Sequence, residues 1–136
     1  MKKLLLSICI ALFAIAASPL ARANDFEDLR TKLSAARESL VTMLTNKDKR
    51  GADQQKLVKE TADAVSAALA RMKAPAGKEA QLKELVDTWG AFKKTRETEL
   101  VPAILAGKDD EARKIAGGIQ KERITKCQQL VGELGG

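Results

Sequence analysis

The chain has 136 residues, with 24 Lys and Arg against 18 Asp and Glu for a formal net charge of +6, and it contains no histidine and no tyrosine. That length suits one domain. Without histidine there is no imidazole general base, no Ser-His triad, no helical HExxH zinc site and no Glu-x-x-His di-iron pattern, so no enzymatic centre and no metal or other cofactor is expected.

The first residues read as an export signal. Lys2 and Lys3 precede an uncharged apolar run from Leu4 to Ala17, Ser18 and Pro19 interrupt it, and Ala21-Arg22-Ala23 supplies the small-x-small pattern of a signal-peptidase site. Cleavage is expected after Ala23, giving a signal peptide over residues 1–23 and a mature periplasmic domain over residues 24–136. The apolar run is shorter than the roughly 20 residues that span a bilayer, so a retained anchor is the second reading and no stable membrane insertion is expected after cleavage. Cys9 lies inside the run rather than closing it, which speaks against a lipoprotein. Loss of Lys2, Lys3 and Arg22 leaves 21 basic against 18 acidic side chains and lowers the net charge from +6 to +3. So mild and mixed a charge, with so few aromatic platforms, argues against nucleic acid as a partner.

From Asp25 to about Asn46, apolar residues fall at Phe26, Leu29, Leu33, Ala36, Leu40 and Met43, the alternation of three and four that makes one seam of a helix in a bundle. Lys47-Asp48-Lys49-Arg50 reads as a solvated turn, and Asp53 as the cap of a second helix ending near Met72, with Val58, Ala62, Val65, Leu69 and Met72 on its seam. Pro75 and Gly77 end that helix. A third helix is expected from about Lys78 to Leu105, with Leu82, Leu85, Trp89 and Phe92 inward. Its heptad then reaches Arg96 and Glu99, and Pro102 removes a backbone donor and crowds the Thr98 carbonyl, so a bend is expected there. Gly107 marks the last turn. A fourth helix follows, with Ala112, Ala116, Ile119, Cys127, Leu130 and Leu134 on its seam, Gly117-Gly118 and Arg123 interrupting it, and Gly132, Gly135 and Gly136 fraying its end. Four such helices with short loops imply an all-α fold, an antiparallel up-down-up-down four-helix bundle.

Small exported bundles include cytochromes, but Cys127-Gln128-Gln129-Leu130-Val131 keeps only the first cysteine of a CxxCH haem attachment. Met43 and Met72 then read as core fillers. Cys127 itself reads as a small core residue; the alternative is a thiol that links a homodimer in an oxidising compartment.

The second hairpin resembles the periplasmic four-helix-bundle sensor domain of methyl-accepting chemotaxis receptors. The resemblance rests on Trp89-Gly90-Ala91-Phe92 followed by Leu100-Val101-Pro102-Ala103-Ile104-Leu105-Ala106-Gly107-Lys108-Asp109-Asp110-Glu111-Ala112-Arg113. A weaker likeness links the chain to haem-less relatives of the cytochrome c-prime and b-type bundles. The resemblance implies a sensor-like module that binds a small ligand or a periplasmic protein partner. Receptors of that family keep an N-terminal membrane helix, whereas cleavage after Ala23 would free this module to bind and present something. The competing reading is a structural or chaperone-like helical protein acting through its surface, which an exposed apolar stripe would favour.

One layer breaks the core pattern. Arg96 and Gly118 are equally distant in sequence from the Gly107 turn, so an antiparallel hairpin places Thr95, Arg96 and Glu99 opposite Gly117 and Gly118, with Arg123 further along. A buried guanidinium needs Glu99, another carboxylate, or a bound anion or water as its partner. The sharper expectation is a small organic anion held by Arg96 and Arg123, with Thr95 and the glycine amides as auxiliary donors. The plainer one is that the arginines snorkel to solvent and the glycines permit close packing.

Overall fold

Four helical rods account for nearly all of residues 20–135, the part of the chain that the computed structural model describes, with side chains from residue 24 onward. No strand occurs among the described residues, and no helix there is long and apolar enough to cross a membrane. The first rod is α1, Leu20–Thr45. The second is α2, Ala52–Arg71. The third comprises α3, Glu79–Thr95, a π-helical turn over Arg96–Leu100, and α4, Val101–Leu105. The fourth is α5, Asp109–Gly117, followed by α6, Ile119–Gly135. The apolar run from Leu4 to Ala17 and Cys9 lie outside the described residues. α1 starts ahead of the expected Asp25, since Leu20, Ala21, Arg22 and Ala23 are mostly strong helix formers, and the expected cleavage point falls within its first turns.

The seam residues behave as their spacing demands. Phe26, Leu29, Leu33, Ala36, Leu40 and Met43 on α1 are all buried, as are Val58, Ala62, Val65 and Leu69 on α2 and Leu85, Trp89 and Phe92 on α3. Each fully buried leucine contributes about 1.5–3 kcal/mol relative to exposure. α1 packs on α2, α3 on α6, and α1 on α6, whereas α2 and α3 meet sparingly and leave a cleft between them. The buried apolar residues form two clusters. One gathers Phe26, Leu33, Val65, Trp89, Cys127 and Leu134 among others, and the second Leu40, Met43, Val58, Leu100, Ile104 and Ala112.

Of three local details, the first and last depart from the sequence reading and the middle one, at Gly107, follows it. Gly51, in extended conformation, precedes α2 and makes no side-chain cap; Asp53 sits inside the first turn, where its charge complements the positive helix end instead of capping it. The α4 end closes as a Schellman turn: Lys108 N–H donates to Ala103 O at 2.9 Å and Gly107 N–H to Ile104 O at 3.1 Å, with Gly107 at φ 75°. The end of α6 does not fray within the described residues. It stays helical to Gly135, where a Cβ would meet Phe26 Cβ at 3.1 Å, so the missing side chain allows α1 and α6 to close on each other.

Candidate functional site

Two irregularities set the middle layer. At Arg96–Leu100 the Val101 N–H donates to Arg96 O, five residues back, and the helix widens into a π-turn. Pro102 has no N–H to offer Thr98 O and its ring would press on that carbonyl, so the wider turn relieves both problems. The extra residue also shifts the phase. Leu100, fully enclosed, takes the inward position that the heptad assigned to Glu99, and Glu99 is exposed. On the fourth rod, Gly118 leaves helical geometry (φ −101°, ψ −111°), and a Cβ there would lie 2.9 Å from Lys114 O. The phase shifts again. Ile119, expected inward, is exposed, and Gln120 is buried in its place.

Arg96 stays on the seam and is only 1% exposed, so it does not snorkel. Its Nη1 donates to Ala36 O at 2.8 Å, and its Nη2 to Val58 O at 2.7 Å and Ser39 Oγ at 3.5 Å. Ser39 Oγ in turn lies 2.8 Å from Thr61 Oγ1, and Gln54 Nε2 donates to Ser39 O at 2.7 Å. This polar belt divides the two apolar clusters. Among the described residues no carboxylate lies within ion-pair distance of Arg96. Burial pushes its guanidinium down to about 10, so it remains charged at neutral pH.

The expected companions of Arg96 lie elsewhere. Arg123 turns toward α3, where its Nη1 donates to Thr95 Oγ1 at 2.7 Å, Gln120 Oε1 at 3.0 Å and Ala91 O at 3.4 Å. Gln120 Nε2 donates to Phe92 O at 2.8 Å. Ala91 and Arg123 stand equally far from Gly107, as the layer counting requires, but Arg123 and Thr95 bond each other while Arg96 reaches toward α1 and α2. Gly117 is exposed with open space around it, and Gly118 is half-buried at the helix break.

Arg96 borders the cleft between α2 and α3, about 310 Å³ in volume, with Val58, Ala62 and Val101 as apolar wall and Gln55, Lys59, Lys93 and Glu97 around it. The Nε–H of Arg96 has no acceptor among the described residues. Lys93 bridges Glu97 Oε1 at 2.9 Å and Asp63 Oδ1 at 3.3 Å. The Glu97 hydrogen bond, more than the Asp63 one, holds its ammonium above the ordinary lysine range.

The loop at one end of the rods also differs from expectation. Arg50, expected in a solvated turn, is half-buried: its Nε donates to Met43 O at 2.9 Å, Nη2 to Leu44 O at 2.9 Å, and Nη1 to Ile104 O and Asp109 Oδ1, both at 3.1 Å. Nothing in a basic tetrapeptide distinguishes a helix-capping arginine from a solvated one. Cys127 is fully buried and unpaired, and burial pushes its thiol up to about 12, so it is an inert core residue. No protein-family model, no curated protein and no solved structure matches the chain.

Proposed function

We propose that the protein is a sensor-like periplasmic binding module whose rods form an antiparallel up-down-up-down bundle and whose ligand is a small organic anion. Several contacts support that arrangement of the rods. Lys78 Nζ, ahead of α3, donates to Glu133 O near the end of α6 at 2.7 Å, and Arg50 ties the end of α1 to the start of α5. The resemblance to chemoreceptor sensor domains and the signal-like first 23 residues support a periplasmic address.

One observation carries the binding assignment: the cationic, enclosed Arg96 has only neutral acceptors and stands beside an open cleft. A guanidinium in low dielectric with no counter-ion attracts an anion more strongly than a surface arginine does. Lys59 and Lys93 at the same cleft are each held against a carboxylate, Asp63 and Glu97 respectively, so the guanidinium is the cleft's uncompensated charge, and the apolar wall suits a short carbon skeleton. Thr95, Arg123, Gly117 and Gly118 belong to the neighbouring polar layer, and Glu99 faces solvent, so Arg96 is the member of the expected set that borders this cleft.

The test is a thermal-shift screen of short mono- and dicarboxylates against wild type and Arg96→Met, which keeps the length of the side chain without its charge. At least one carboxylate is expected to stabilise the wild type and to lose that effect in the variant. Absence of any shift in the wild type, or an equal shift in Arg96→Met, would assign Arg96 to structure alone.

A further inference from the structure

A second groove lies on another face of the molecule, between α1 and the broken fourth rod, with a volume of about 340 Å³. Its floor is apolar, made by Leu40, Leu44 and Ile124 among others, and its basic residues are Arg37 from α1, Arg113 from α5 and Lys121 from α6. No acidic side chain lines it. Arg37, Arg113 and Lys121 are exposed, and among the described residues none of them forms an ion pair. Other basic residues behave differently: Lys59, Lys83, Lys93 and Lys126 each sit against a carboxylate.

The groove runs beside the helix break. Gly118 interrupts the rod, and Gly117, with nothing within 4 Å of the place its Cβ would take, leaves a gap in the groove wall where any larger side chain would stand. Half-exposed Val41 extends the apolar surface beyond the floor. A purely apolar occupant would leave the three cations unused, and a purely ionic one would leave the floor wet. The combination selects a molecule with both parts.

We propose that this groove binds a free, single-chain amphiphilic anion, with the alkyl chain on the Leu40, Leu44 and Ile124 floor and a carboxylate or comparable head group at the basic rim. Apolar burial supplies affinity at about 25 cal/mol per Å² of surface removed from water, and the cations select the sign of the head group. The site is separate from the Arg96 cleft, and neither assignment depends on the other. The volume falls in the range of small-molecule sites, roughly 300–1,000 Å³.

Isothermal titration calorimetry with dodecanoate below its micellar concentration tests the proposal. Saturable binding near one per chain is expected, weakened about tenfold or more in the double variant Arg37→Gln with Lys121→Gln, and likewise in Gly117→Leu, which fills the groove. Gly90→Leu adds the same side chain at an exposed glycine that also has open space around it, and should bind as wild type does. Dodecyltrimethylammonium, with the same chain and the opposite charge, should not bind. Circular dichroism on each variant checks folding; should Gly117→Leu unfold, the charge variant at exposed positions still decides. Absence of saturable dodecanoate binding, equal binding of the cationic amphiphile, or unchanged binding in the folded variants would overturn the proposal. So would co-sedimentation with phosphatidylglycerol vesicles in the absence of monomer binding, which would assign the basic rim to a membrane surface.

Discussion

At the scale of single residues, Arg96 decides how the middle of the molecule is held. Ala36 and Val58 lie inside α1 and α2, and a carbonyl oxygen has two lone pairs, so the guanidinium uses acceptor capacity that helix formation leaves free. Its removal therefore orphans no buried acceptor. Replacing a buried charge by an apolar side chain of similar length is often neutral or stabilising, whereas truncation leaves a hole. Arg96→Met should lie within about 1 kcal/mol of wild type in urea denaturation, and Arg96→Ala should cost about 2 to 4 kcal/mol. Equal losses in the two variants would mean that the hydrogen bonds, rather than the volume, hold the layer.

At the scale of elements, what could be read in the sequence was the spacing. The inward faces of α1, α2 and the first half of α3 follow from the three-four alternation, because side-chain direction in an unbroken helix is a matter of counting. Counting fails wherever the helix gains or loses phase. Pro102 and the Gly117-Gly118 pair announce trouble, but not its form: a proline can kink, break or widen a helix, and only the packing of Leu100 and Ile104 selects widening. Hence Glu99 and Ile119 were expected inward, while Leu100 and Gln120 occupy those places. The polar set divided for the same reason, since the helix break and the π-turn rotate Arg123 and Arg96 toward different neighbours.

This account of the π-turn can be tested by deletion. Removing exposed Thr98 takes out the extra residue and returns Leu100 to the heptad, but it leaves Pro102 in a regular helix, where it costs about 3 kcal/mol. Deletion of Thr98 alone should therefore lower the melting temperature. The same deletion combined with Pro102→Ala should recover most of the loss in a circular-dichroism melt. If the combined variant is no more stable than the deletion alone, the π-turn does not exist to accommodate the proline.

At the scale of the whole molecule, the Arg50 clasp holds three helix ends together, taking carbonyls from α1 and α4 and a carboxylate at the start of α5. The Arg50 hydrogen bond first, and that of Lys47 after it, holds the Asp109 carboxyl below the ordinary carboxylate range. A carboxyl lowered in the folded state adds stability that is fully present above its unfolded value, about 3.9, and is lost as pH falls through the folded value. Wild type should accordingly melt higher than Asp109→Asn at neutral pH, and the gap should close on acidification below about pH 4. A gap that stays constant down the acid limb would show that the aspartate acts by shape, not by charge. Asp63, lowered chiefly by its hydrogen bond to Lys59, would continue to contribute an acid limb of its own in both proteins.

The contact between Phe26 and Gly135 also has a mechanical meaning. It places the outer ends of α1 and α6 at one pole, the same pole where Lys78 meets Glu133. A pull applied to those two ends runs across the α1–α6 seam rather than along it, so it loads one turn of contacts at a time. The molecule would open under tension as a zipper, from Phe26 toward the polar belt, and the clasp at Arg50 would be among the last contacts to feel the load.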